Sequence, residues 1–306
     1  MNKHLLSQKT INLSDEWTNS TIVHGNHIEF LPSGASSFEI RWDLLDKASK
    51  CIHLATFSMM KDETIRKLFG VLHCKLREGV EVKIILDDSV NKTTFVGGYL
   101  KKLEKSGAQI HRYNGLFHGW RINFKRGHPF KQLMRNIKLK IKQHYHEKYL
   151  IVDNTELVLG GINWGNKYAY GGIDEAAWRD SDVYVRGPLV KEVQIQFLKD
   201  FYRYELWNKT YQKNKKLRYH EFVKTIKHID REFILNKFCD HFPQLDQEGI
   251  ISARYVAHKP YDDEDLPMTN LFLLLISKAK KRIYWGCHGI RPPRIVGEYL
   301  AEAVKR

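Results

Sequence analysis

Between Phe38 and Tyr113 the sequence switches repeatedly between a helical and a strand period, and that alternation restricts the chain to few folds. Phe38 to Ser49 has helical spacing, with Trp42, Leu45 and Ala48 on one side. Cys51 to Phe57 reads as a strand, and Asp62 to Arg77 as a helix opened by Asp62-Glu63 and ended by Gly79. Glu81 to Leu86 alternates as a strand should; Tyr99 to Lys105 returns to helix and Ala108 to Tyr113 to strand. Strands separated by helices at this spacing predict βαβ units, an α/β fold with a mixed sheet flanked by helices. Farther on, Lys148 to Val152 and Leu157 to Gly160 predict a hairpin turning at Asp153-Asn154.

The flanks are less regular. Residues 1–30 mix Ser, Thr, Asn and His without periodicity, and are expected to form an N-terminal arm or edge strand before the punctuation Leu31-Pro32-Ser33-Gly34. An internal echo suggests the rest of the layout. Leu44 to Leu54 and Leu275 to Trp285 each give a helix end, a basic turn and a strand start, and each runs on to a helix, Thr64 to Leu76 and Ile295 to Arg306. Aligning Ala48 with Ala279 sets Arg306 opposite Lys75, so the second copy has no room for the strand that follows in the first. Residues 31–207 are therefore expected to form a first unit, 208–220 a basic linker, and 221–306 the opening of an incomplete second unit.

With 306 residues and 42% hydrophobic content the chain is globular rather than disordered. Its 50 Lys+Arg against 35 Asp+Glu leave a net charge of +15, which favours an anionic partner. Charge alone leaves open a nucleic acid, an acidic lipid surface or a solvated basic face. From Gly115 to His146 there is no Asp or Glu, and Phe117, Trp120, Phe124 and Phe130 lie among lysines and arginines. That segment suits base stacking, insertion at a headgroup layer, or an ordinary surface loop. The apolar run Leu271 to Ile276 is too short to span a bilayer, and the first residues lack a signal-peptide core. Cys51, Cys74, Cys239 and Cys287 are scattered, which predicts a reducing compartment, no disulfide framework, no metal site and no cofactor.

The chemistry is concentrated in His146-Glu147-Lys148-Tyr149-Leu150-Ile151-Val152-Asp153, followed by Gly160-Gly161-Ile162-Asn163. Alternation along a strand points His146 and Lys148 the same way. That pairs a nucleophile or acid–base group with a fixed cation; Asn163 adds a neutral donor, and Gly160 and Gly161 would let backbone approach an anion. The set suits phosphoryl transfer, with Lys148 and Asn163 on the non-bridging oxygens while an imidazole nitrogen attacks phosphorus. A bare H-x-K carries little: His73-Cys74-Lys75 lies in an expected helix and reads as an exposed face. The full H-x-K-x4-D-x6-G-G-x-N string is expected by chance in well under about one chain in a thousand.

This string resembles the signature of the phospholipase D superfamily, and the closest likeness is to bacterial cardiolipin synthases. The element Trp178-Arg179-Asp180-Ser181-Asp182-Val183-Tyr184-Val185-Arg186-Gly187-Pro188 resembles theirs, as do the first strands from Leu31 to Asp87. The resemblance implies two α/β repeats, each donating one H-x-K motif to an active site at their seam, and no metal. It implies that His146 forms a phosphohistidine, that Lys148 and Asn163 hold the phosphate, and that Asp180 orients the imidazole, although Asp180 also reads as a plain surface carboxylate. Asp153 completes the catalytic string, and is expected to anchor the strand end rather than touch substrate. Asn166-Lys167-Tyr168 departs from the acidic pair many members carry there, and no second H-x-K-x4-D follows. His288 is read as structural or substrate-lining.

Three functions follow. The first is a phosphatidyltransferase of cardiolipin synthase type, cytoplasmic and peripheral at the inner face of the membrane, acting on anionic phospholipid. The second is a nucleic-acid phosphodiesterase of the same fold that completes its site as a homodimer. The third is a remnant that binds an anionic ligand without turnover. A homodimer or a missing C-terminal half would supply the second catalytic motif.

Overall fold

The computed structural model describes residues 7–91, 97–113, 144–213, 219–226, 228–259, 266–286 and 293–306. The chain packs as two units, His24–Ser252 and, separately, the residues up to Val23 together with Ala253–Arg306. The basic–aromatic insert from residue 115 to 143 and His288 lie outside the described residues.

The expected N-terminal arm contains a helix, α1 (Gln8–Thr18), followed by strand β1 (Val23–Leu31). Hydrophobic periodicity misses α1 because its buried face is made of hydroxyls, Thr10, Ser14 and Thr18. Ser14 and Thr18 turn those hydroxyls back onto the carbonyls of Ile11 (2.7 Å) and Ser14 (2.6 Å), so no polar group is left wanting. Helix α2 (Gly34–Lys47) starts earlier than its apolar spacing predicts, because Ser33 and Ser36 form a reciprocal capping box. Strand β2 (Cys51–Thr56), α3 (Glu63–Arg77), β3 (Glu81–Asp87), α4 (Asp88–Asn91), α5 (Gly97–Lys105) and β4 (Gln109–Tyr113) follow as the alternation requires. The hairpin is β5 (Tyr149–Val152) and β6 (Glu156–Gly160), turning through Asp153 and Asn154 at positive φ. Then come α6 (Asn166–Ala169), β7 (Asp182–Arg186), α7 (Leu189–Lys213), α8 (Tyr219–Thr225), α9 (Arg231–Lys237), a 3-10 turn at Cys239–His241 and β8 (Ile251–Ala253). Residues 208–213 thus belong to α7 and not to a linker.

The sheet order is β4-β3-β2-β5-β6-β7-β1-β8. β2, β3 and β4 run parallel while β2–β5, β5–β6, β6–β7 and β1–β7 are antiparallel, which makes the sheet mixed. All six residues of β2 are buried, as a central strand covered on both faces must be. Ile52, Leu54, Val82, Ile84, Leu150 and Val152 pack on one face with Leu45, Leu68 and Leu72 of α2 and α3. On the other face Phe197 of α7 stacks on His53 (4.8 Å) and meets Tyr149 edge-on (6.2 Å).

In the smaller unit, α10 (Pro267–Lys278) and α11 (Arg294–Lys305) bury Leu273, Ile276 and Val296 together. Aligning Ala48 with Ala279 sets the end of α2 on the end of α10 and the start of α3 on the start of α11. The two C-cap alanines share one backbone conformation, φ −54° and ψ 128° at Ala48 against φ −64° and ψ 130° at Ala279. The strand expected at Ile283–Trp285 does not form, and Tyr284 is 85% exposed; among the described residues no neighbouring strand pairs with it. No helix among the described residues is long and apolar enough to cross a membrane.

Candidate functional site

Extended backbone from His144 into β5 puts alternate side chains on opposite faces. One face carries Tyr145, Glu147 and Tyr149, with both phenol hydroxyls donating to Glu147 Oε2 (3.1 and 3.3 Å). The other presents His144, His146 and Lys148 to a single ring, Phe57, just past the end of β2. The His144 and His146 centroids lie 5.4 and 4.6 Å from it, and Lys148 Nζ 5.4 Å. The two side chains therefore meet: Lys148 Nζ is 3.2 Å from His146 Nδ1 and donates to the His146 carbonyl at 2.7 Å.

Both groups are perturbed toward use near neutrality. Burial, then the charges of Lys148 and His144, bring the His146 pKa down to about 4, although the residue as a whole is solvent-exposed. Burial lowers Lys148 to about 8 against the opposing pull of Asp180, Asp182 and Glu147. A neutral imidazole beside an ammonium is the pairing that nucleophilic attack on a phosphodiester needs.

Asn163 lies in the same region, with a bond on each end of its side-chain amide. Oδ1 accepts from Ser58 N (3.0 Å), and Nδ2 donates to Tyr168 Oη (2.9 Å). It thereby ties the turn after β6 to the loop after β2, alongside the backbone pair Met60 N to Trp164 O (2.9 Å) and Trp164 N to Ser58 O (3.2 Å). The second Nδ2 hydrogen is not spent on either bond and is the donor Asn163 has for a phosphate.

The glycines serve a purpose the sequence does not reveal. The room they leave is filled by neighbouring carboxylates rather than by an approach for an anion. A Cβ on Gly161 would strike Asp180; one on Gly160 would strike the Asp182 side chain and come within 2.6 Å of Asp182 Cα and Ser181 O. Gly160→Ala is expected to cost about 1–3 kcal/mol in urea unfolding, because the obstacle is backbone that cannot rotate away.

Asp180 accepts from the backbone of Ser181 (2.9 Å), and among the described residues no hydrogen bond joins it to His146. Among the described residues it acts on the motif by charge, raising the Lys148 pKa. Asp153 lies at the opposite end of the hairpin, where its carboxylate accepts from the backbone of Ser49 (2.9 Å), Lys50 (2.7 Å) and Cys51 (3.0 Å). Burial pushes its pKa up, but these donors prevail and hold it below the ordinary value. Asp153 therefore anchors the α2–β2 turn, at the opposite end of β5 from His146.

Sequence reasoning misses three supporting groups. His144 faces Asp87 with Nδ1 3.2 Å from Oδ2, and the buried carboxylate also accepts from Tyr145 N (2.9 Å) and Ser89 N (3.0 Å). The pattern H-x-H-x-K, two residues longer than the one read, is the available signal for His144. Asn91 bridges Met59 N (2.7 Å) and Phe57 O (2.8 Å), fixing the loop that carries Phe57. Asn166, where an acidic residue was expected from related sequences, receives Thr64 N (3.0 Å) and Oγ1 (2.8 Å) and so fastens the start of α3.

Comparison with known proteins places this geometry in context. The family profile described as cardiolipin synthase, PLD-like domain, matches residues 42–201. The cardiolipin synthase of Clostridium perfringens (strain 13 / Type A) is 26% identical over 270 residues, 87% of this chain and 48% of that protein. The major cardiolipin synthase of Bacillus subtilis (strain 168) is 24% identical over 264 residues, 86% of this chain and 46% of that one. The phosphatidylserine synthase of Haemophilus influenzae Rd KW20 has a similar fold, with a TM-score of 0.56 at 14% identity, covering 97% of this chain and 64% of that one. The chain spans about half the length of the curated relatives it matches.

Proposed function

Because the chain belongs to the phospholipase D-like domain family of cardiolipin synthases, we propose that it contributes the nucleophile of a phosphatidyl transfer between phospholipids, at the cytoplasmic face of a membrane. The observation that carries this reading is the convergence of His146 and Lys148 on Phe57. Without substrate the Lys148 ammonium occupies His146 Nδ1. An entering phosphodiester draws that ammonium onto a non-bridging oxygen, so binding the anion and unmasking the imidazole are one event. A ring nitrogen then forms a bond to phosphorus as the bond to the leaving alcohol breaks, and an acid protonates that alcohol. The acceptor hydroxyl of a second lipid next attacks phosphorus, giving up its proton as the N–P bond breaks.

The acid is the part the chain leaves open. A second H-x-K motif from a partner copy or from further sequence would provide it, and His144, oriented by Asp87 beside the same ring, is the described residue best placed to assist.

The discriminating assay offers the protein phosphatidylglycerol vesicles and, separately, single-stranded DNA. Formation of diphosphatidylglycerol with release of glycerol supports the reading; DNA cleavage without lipid turnover replaces it with the nuclease. Binding of both without turnover replaces it with an anion-binding remnant.

The pH profile is a further expected outcome. His146 must be neutral and Lys148 charged, so kcat/KM is flat between about pH 4 and about pH 8. It falls below that window as His146 gains a proton, and above it as Lys148 loses one. Lys148→Arg should remove the alkaline limb, because guanidinium stays charged there.

A further inference from the structure

At the opposite end of β2 from His146, a second polar cluster has no part in the reaction. The parallel register of β2 and β3 sets Cys51 beside Glu81 and His53 beside Lys83, which brings His53, Glu81 and Lys83 to the face covered by α7. His241, from the 3-10 turn after α9, stacks on the His53 ring at 5.5 Å with 22° between planes. Both imidazoles aim Nε2 at the same oxygen: His53 Nε2 and His241 Nε2 are each 2.9 Å from Glu81 Oε1. The other carboxylate oxygen, Oε2, is held by Lys83 Nζ.

From this arrangement we infer that His53, Glu81 and His241 form a site for a borderline divalent transition ion such as Zn2+, which staples the turn at residues 239–241 to the sheet. All three ligand atoms lie within 4.8 Å of one another. Tetrahedral ligands at ~2.0 Å from a zinc ion stand ~3.3 Å apart, so small rotations of the two rings complete the geometry. Two nitrogens and one carboxylate oxygen suit zinc, nickel or cobalt better than magnesium or calcium, which prefer all-oxygen shells.

An outer contact of the kind a metal centre requires is present at His53, whereas His241 Nδ1 is buried with no hydrogen-bond partner among the described residues. Gln194 reaches His53 Nδ1, with Nε2 at 2.8 Å and Oε1 at 3.2 Å, so turning its amide lets Oε1 accept the Nδ1 proton and leaves Nε2 bare for the ion. Lys83 on Oε2 keeps the carboxylate monodentate through Oε1. His53 is completely enclosed, whereas the His241 side chain is 21% exposed, so an ion enters from the side of the turn and water takes the remaining position. On binding, each neutral imidazole shifts its single proton from Nε2 to Nδ1 by exchange through solvent, so no net proton is released.

The test titrates the metal-free protein with Zn2+, and with Co2+ to read the ligand-field absorption of a tetrahedral centre. One saturable equivalent is expected, weakened at least about 100-fold in Glu81→Gln and in His241→Gln and about 10-fold in Gln194→Ala. His73→Ala, a half-buried histidine of α3 beside Ser106, should bind like the parent. If Glu81→Gln fails to fold, His241→Gln on its partly exposed turn still carries the test. Absence of saturable uptake by the parent protein overturns the inference, as does uptake that His241→Gln leaves unchanged. Phosphodiester turnover is not the readout, so failure here leaves the proposed function standing, and failure of that function leaves this site standing.

Discussion

His146→Ala is expected to lower phosphatidyl transfer by about four to six orders of magnitude while leaving the protein folded and able to bind anions. The magnitude follows from what the residue supplies. Oriented donors such as Lys148 stabilise charge in the transition state, yet without the imidazole there is no atom to form the bond to phosphorus. The ring touches Phe57 and Lys148 and reaches solvent, so removing it opens no core cavity. Loss of the group should also relieve Lys148 of the bond at 3.2 Å, leaving the ammonium freer for phosphate. KM is therefore expected to change little against the collapse of kcat. Lys148→Ala should act in the opposite proportion, weakening anion binding as well as turnover. A His146→Ala variant that keeps its rate within about tenfold would place the nucleophile elsewhere.

The residues that made this prediction possible were legible because their relation is local. The two-residue period of a strand decides that His146 and Lys148 share a face whatever lies across from them. The same period, extended by one step, reveals His144. What alternation cannot name is the surface they meet. Phe57 directly follows β2 and reaches the motif because β2 and β5 pair antiparallel, Ala55 opposite Tyr149. Long-range partners explain the other differences too. Asp153 looks like part of a catalytic string because it follows at a fixed distance, but the α2–β2 turn claims its carboxylate. The glycines look like anion-binding backbone, but sequence could not show that Asp182 at the start of β7, and Asp180 just before it, take the space beside them.

Helix α1 escaped for a different reason: its buried stripe is made of Thr and Ser, which bond their own helix and imitate a polar loop. The cluster of His53, Glu81 and His241 was hidden because its ligands come from two adjacent strands and a distant turn. Reading the scattered cysteines as evidence against a metal site considers only ligands close in sequence, whereas a parallel sheet brings His53 and Glu81 together from adjacent strands.

Asp182→Ala is expected to destabilise the larger unit by about 3–5 kcal/mol, because it strands a guanidinium in the core. Arg41 and Asp182 have side-chain exposures of 1% and 0%, and their bond measures 2.7 Å. The same guanidinium nitrogen donates to Ile162 O (2.9 Å), and the group lies 4.8 Å from the Trp164 ring and 5.1 Å from Phe38. Asp182 in turn accepts from Ile162 N (3.2 Å) and the Ser37 hydroxyl. Removing the carboxylate leaves the positive charge with one carbonyl and two ring faces, which cannot replace the lost hydration. For a unit of this size the melting temperature should fall by roughly 10 °C. Arg41→Met is expected to cost nearly as much, since it leaves the carboxylate buried without its cation. The double variant Arg41→Met/Asp182→Asn should cost less than the two losses added, because each removes the charge that the other strands. Strict additivity would show that the pair is not coupled. The pair also grips both backbone groups of Ile162, the residue before Asn163, so Asp182→Ala should loosen the turn that Asn163 ties to Ser58. Anion affinity at His146 and Lys148 should then fall even below the melting transition. A variant that loses stability but keeps full affinity would confine this ion pair to holding the fold.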